Sequence, residues 1–210
     1  MVMLRGTDPS YYRRTEAWQD TMLASREALH EAEASPIGPA PLPDFGTSDF
    51  TLSVWARTPH KTGPILAKSI AFGRLRAGAK VFLIKDGKLT YEVAGVGALS
   101  AGPSIDDNRW HHVIVTGSDP VNLYVDGHLV KTGVIQSDDG PTPDPSDFDL
   151  TIGWCSFDFP KGGGFEGDID EVRIYNHKLS AEEVNVLRKD PTAVKEGVAG
   201  WWRFDVGAVD

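Results

Sequence analysis

From Phe50 the chain alternates. Phe50, Leu52, Val54 and Ala56 are apolar, and Thr51, Ser53, Trp55 and Arg57 fill the places between them. A period of two marks a strand with one face in a core. Similar runs predict strands at Gly63 to Ile70, Val81 to Ile84, Leu89 to Val93, Trp110 to Thr116 and Val121 to Val125. Others follow at His128 to Val134, Leu150 to Trp154, Phe165 to Tyr175 and Gly200 to Phe204, with a weaker one at Ala98 to Ile105. Two joints carry Asp-Gly, at Asp86-Gly87 and Asp126-Gly127. This pair between apolar runs signals a tight hairpin, because both of its positions must adopt positive φ. Short strands at this spacing predict an all-β sandwich of two antiparallel sheets.

Helical patterning occurs twice. Asp8-Pro9 reads as an N-cap followed by proline at the first helical position. From there to about Ala34, Tyr11, Trp18, Met22 and Leu29 recur on one helical face. That face either covers part of the sandwich or belongs to a connector from an upstream domain. Ser35 to Pro43 holds four prolines and one glycine, the composition of a stiff linker. The division is therefore a helical appendage and linker over 1–43 and a sandwich over 44–210. Near the C-terminus, Ser180-Ala-Glu-Glu183 has the form of a capping box, with Leu179 and Val184 placed for a hydrophobic staple. A short helix from Ala181 to about Arg188 follows, and Asp190-Pro191 stops it.

Four blocks carry a family resemblance. They are DFTLSVWART (Asp49 to Thr58), DDNRWHHVIVTGS (Asp106 to Ser118), VNLYVDGHLVKTG (Val121 to Gly133) and FEGDIDEVRIYNHKLSAEEV (Phe165 to Val184). In this order they resemble laminin-G-like and pentraxin-like domains of the concanavalin A-like superfamily, over about Phe45 to Asp205. The resemblance implies a jelly-roll sandwich and a structural role for the Trp110-His111-His112 element. It also implies a calcium ligand at Asp170, which matches the superfamily's carboxylate position, and Asp205 is the second carboxylate to consider. GWWRFDVG, Gly200 to Gly207, resembles a motif that opens such domains, yet here it follows the closing helix. Either this strand replaces the usual first one or a second copy begins there.

Composition narrows the function. The 210 residues carry a formal charge of −9 with no basic run, which argues against general binding of nucleic acid or anionic membranes. Cys155 is the single cysteine, so no intrachain disulfide or thiolate metal cluster forms, and a buried thiol is expected. No stretch is long and apolar enough to span a membrane, and Met1 to Gly6 is too short for a signal peptide. The chain is thus expected to be cytoplasmic, or part of a longer exported protein that acts outside the cell or in its envelope.

Candidate chemistry concentrates in three places. Glu166, Asp168 and Asp170 alternate on one strand. Glucanases of the resembling superfamily use such alternating carboxylates, but on a different strand. The loop from Asp138 to Asp149 holds five aspartates and three prolines. It reads either as a solvated acidic loop or as a cation site like that of the pentraxins. Trp154, Phe157 and Phe159 lie in or beside a Gly-rich loop, where exposed aromatic rings suit stacking on a sugar. No P-loop, dinucleotide glycine pattern, zinc spacing or nucleophile elbow is present. The expectation is a non-catalytic carbohydrate- or glycoprotein-binding module with a structural Ca²⁺. The alternatives are a protein-binding adhesion module of a larger multidomain protein, and then a glycoside hydrolase or lyase.

Overall fold

The computed structural model describes residues 3–4 and 42–204, apart from 71–72, 118, 146–147, 157 and 160–163. The helix expected over Pro9 to Ala34, and most of the linker after it, lie outside the described residues. The strands are β1 (Met3–Leu4), β2 (Phe50–Arg57), β3 (Gly63–Ser69), β4 (Lys80–Lys85), β5 (Lys88–Val93) and β6 (Gly97–Ala101). They continue with β7 (His111–Gly117), β8 (Val121–Val125), β9 (His128–Gly133), β10 (Asp149–Ile152), β11 (Gly167–Tyr175) and β12 (Val198–Trp202). The single helix among the described residues, α1, spans Ala181–Lys189.

Two antiparallel sheets form the sandwich. The larger runs β1-β11-β2-β7-β8-β9, with β12 also paired to β11, and the smaller runs β10-β3-β4-β5-β6. The terminal strands share β11: β1 pairs with Gly167 and Asp168, and β12 pairs with Val172 to Tyr175. Gly200 to Trp202, the start of GWWRFDVG, therefore belong to this sandwich, in its large sheet.

The alternating residues do what their period requires. Phe50, Leu52, Val54 and Ala56 meet Phe82, Ile84, Leu89 and Tyr91 of the facing sheet in one core. Both Asp-Gly joints make tight hairpins, with Asp86 at φ 52 and Gly87 at φ 76, then Asp126 at φ 50 and Gly127 at φ 82. α1 is capped as its sequence implies. Ser180 Oγ accepts from the Glu183 amide at 3.2 Å, and Glu183 Oε2 accepts from the Ser180 amide at 2.8 Å. Leu179, Val184 and Leu187 seat the helix on Ile114, Tyr124 and Tyr175, on the outer face of the large sheet. No helix among the described residues is long and apolar enough to cross a membrane.

Candidate functional site

α1 covers one half of the large sheet's outer face. On the other half the strand register sets the side chains in two rows. Asp170, Trp55 and His112 make one row, paired across β11, β2 and β7. Asp168 and Arg57 begin the next, and Trp110 ends it, with the Arg57 guanidinium 5.1 Å from its ring centre. Arg57 donates to Asp168 through Nε at 2.7 Å, and its Nη2 lies 2.6 Å from the same oxygen. Trp55 stacks on the His112 ring at 5.0 Å and 21°. Trp55, Arg57 and Trp110 are half-buried, whereas His112 is buried and bonds Ser53 Oγ through Nε2 at 2.9 Å. Burial, helped by the charge of Arg173, pulls the His112 pKa down to about 4, so the ring is neutral near pH 7.

β11 breaks its own alternation. Asp170 pairs with Trp55 and Arg173 with Ser53, so Glu171 and Val172 together oppose Val54. This is a β-bulge, with Glu171 at φ 50. The extra residue lets Ile169 and Val172 both reach the core and carries Glu171 to the outer face beside Arg173. Glu171 Oε2 accepts from Arg173 and, at 2.7 Å, from Trp201 Nε1. Arg173 is 1% exposed and lies 4.2 Å over the Trp201 ring. On a simple alternating strand Asp170 and Arg173, three apart, would face opposite ways; the bulge turns both to the outer face, yet Arg173 pairs with Glu171. Asp170 Oδ1 instead accepts from the Glu171 amide at 2.8 Å.

The three alternating carboxylates thus have separate partners, since Glu166 pairs with His60 at 3.1 Å. Calcium needs six to eight oxygens. Among the described residues no three His, Cys, Asp or Glu side chains converge, and Asp205 lies outside them.

The Gly-rich loop differs from expectation. Trp154 is 4% exposed, so its ring is packed inside and offers no surface for a sugar. Phe159 is half-buried against Ala67, Val81, Leu83 and Cys155, under Lys85 at 5.9 Å. Phe159 closes the outside of the small sheet because its strands present apolar residues there as well. Phe157 lies outside the described residues. Burial pushes the Cys155 thiol up to about 11, which leaves it an inert packing group.

The acidic loop carries an internal cation. Lys80, 2% exposed, donates to Thr142 O at 2.7 Å. Its Nζ also lies 2.9 Å from Asp144 Oδ1, near enough for an ion pair without hydrogen-bond alignment. Asp144 and Asp44 latch reciprocally: Asp144 Oδ2 accepts from Phe45 N, and Asp44 Oδ2 from Asp144 N, both at 3.0 Å. A cavity of about 210 Å³ opens beside them, lined in part by Leu42, Phe45, Lys68 and Leu150. His111 makes a similar clamp at another corner, its ring between Asp126 Oδ2 at 2.8 Å and Asp107 Oδ1 at 3.1 Å. Burial disfavours the protonated ring, but the two carboxylates outweigh it and raise the His111 pKa.

A laminin G-type family model, described as concanavalin A-like lectin/glucanases superfamily, matches residues 35–185. The chain belongs to that superfamily. Among its structural relatives is a candidate carbohydrate binding protein from Bacteroides ovatus, at 19% identity and TM-score 0.57. That match takes in 80% of this chain and 49% of the other, so the chain spans about half of that protein's length. The heptameric SAP-like pentraxin of Limulus polyphemus matches at 15% identity and TM-score 0.53, over 71% of this chain and 72% of the pentraxin. The CBM40 of the Ruminococcus gnavus IT-sialidase, bound to α2,3-sialyllactose, matches at 12% and TM-score 0.51, over 69% of this chain and 84% of the module. At such identities the likeness is one of fold. No curated protein sequence matches.

Within this superfamily fold, the surface that reading for exposed aromatics misses is the Trp55–Trp110 face. Its signal was in the pattern: Trp55 stands among the polar members of its strand, on the side turned from the core. A large ring in that place is either covered or available.

Proposed function

We propose that this chain is a non-catalytic module that binds carbohydrate, free or as the glycan of a glycoprotein. Its superfamily and its relatives support the reading, since one is a candidate carbohydrate binding protein and another was solved with a bound oligosaccharide. The observation that carries the non-catalytic part is the pairing of Asp168 with Arg57 and of Glu166 with His60. A glycosidase needs a protonated acid beside a second working carboxylate. Here the alternating carboxylates are held by an arginine, a histidine and a backbone amide, which suits a fixed surface. A glycan array tests the binding, and a reducing-sugar assay on β-glucans tests the absence of turnover. Binding without release of reducing ends is expected.

A second reading, docking to other domains or proteins, has its own observation. Edge strand β9 leaves Leu129 55% exposed, and Val134 just beyond it is 52% exposed. An open, apolar strand edge favours protein contacts. The structural calcium is a separate proposal at Asp170 and Asp205, and nothing in the binding reading depends on it.

A further inference from the structure

We propose that the half of the large sheet's outer face that α1 leaves uncovered among the described residues, centred on Trp55 and Trp110, is the sugar-binding platform, and that it takes uncharged glycans. The proposal rests on the carbohydrate reading above and names its site and its class of ligand. Three properties of the face support it.

The first is shape and spacing. The two tryptophans sit diagonally on neighbouring strands, with Trp110 beside Arg57 and Trp55 beside His112. Diagonal neighbours on a sheet lie about 7–8 Å apart. One face of each ring is taken, Trp55's by His112 and Trp110's by Arg57, and the C–H side of a pyranose would stack on the half-exposed remainder.

The second is rigidity. Trp55 is held by its stack on buried His112, whose other side is tied to Ser53. Arg57, fixed by Asp168, backs Trp110. Side chains fixed before binding lose little entropy on association.

The third is charge, which selects the ligand. Across the two rows Asp168 and Asp170 are acidic, Arg57 is basic and His112 is neutral, and the whole chain carries −9. Asp170 Oδ1 is engaged by the Glu171 amide, and its second oxygen can accept from a sugar hydroxyl. A carboxylated or sulfated sugar meets net repulsion here, whereas a hydroxyl-rich neutral sugar supplies the donors that carboxylates require.

Isothermal titration calorimetry with cellohexaose, xylohexaose and mannohexaose, and with 3′-sialyllactose as the anionic probe, tests this. At least one neutral hexasaccharide should bind, more tightly than sialyllactose and with little loss in 0.5 M salt. Trp110→Ala and Trp55→Ala should each weaken it at least tenfold, and Val186→Ser, on the exposed side of α1, should not. Because Trp55 packs on His112, circular dichroism must show each variant folded, and Trp55→Phe should recover part of the loss. Binding that persists in folded Trp110→Ala and Trp55→Ala overturns the platform and leaves the carbohydrate reading standing. Tighter binding of sialyllactose overturns the neutral class. If neither these probes nor a broad glycan array bind the wild type, the platform and the carbohydrate reading fall together.

Discussion

Replacing Lys80 by methionine removes an ammonium that is 2% exposed while keeping most of its apolar stem. Two groups then lose their partner: Thr142 O and the Asp144 carboxylate, itself 9% exposed. Breaking one half of a buried ion pair typically costs about 3–5 kcal/mol, because the remaining charge stays desolvated. In a chain of this size each kcal/mol moves Tm by about 2–4 °C, so Lys80→Met should lower it by roughly 6–20 °C. The double variant Lys80→Met/Asp144→Asn separates bare charge from lost packing. Its amide oxygen can still accept from Phe45 N, and no charge is left unpaired, so more than half of the loss should return. Urea denaturation at pH 7, read by circular dichroism, measures both. A Lys80→Met variant within about 1 kcal/mol of wild type would refute the internal-cation account. So would a double variant no more stable than the single one.

Other tests are smaller. Ser180→Ala removes both capping-box contacts of the Ser180 hydroxyl and should cost about 1 kcal/mol in the same denaturation assay, so no measurable change would count against the cap. His112 titrates near 4 when folded and near 6.5 when unfolded, so its contribution is complete above about pH 6.5 and is lost as pH falls. About 3 kcal/mol should disappear between pH 6.5 and pH 4, and that part of the slope should be missing in His112→Asn. His111 has the opposite sign: its contribution is complete below about pH 6.5 and is lost as pH rises through its raised folded value, a trend His111→Gln should abolish. A calcium ion at Asp170 would add about 2.7 kcal/mol at a hundredfold excess over its Kd, and Asp170→Asn would remove the gain. A melting temperature unchanged by millimolar Ca²⁺ would refute the site.

The sequence by itself determined what is local. Alternation at Phe50 to Arg57, the two Asp-Gly pairs and the Ser180–Glu183 box each depend on a few neighbouring residues, and each appears where the pattern put it. The two-sheet sandwich was legible for the same reason, since a chain of half-buried strands has few ways to bury its apolar faces. Tertiary structure decided which polar groups meet. One bulged residue, Glu171, at a positive φ that its sequence does not signal, shifted the strand's phase and put Asp170, Glu171 and Arg173 on one face. Asp44 and Asp144, a hundred residues apart, became partners only when stacking of the sheets brought their loops to one rim. Trp154 was read as a surface ring and is buried, and Phe159 packs on the small sheet's second apolar face, which only the folded sheet creates. Trp55 and Trp110 became neighbours through a register set by distant β2 and β7, so their shared face exists only in the folded sheet. Side-chain period belongs to the chain, whereas burial and pairing belong to the packing of segments far apart along it.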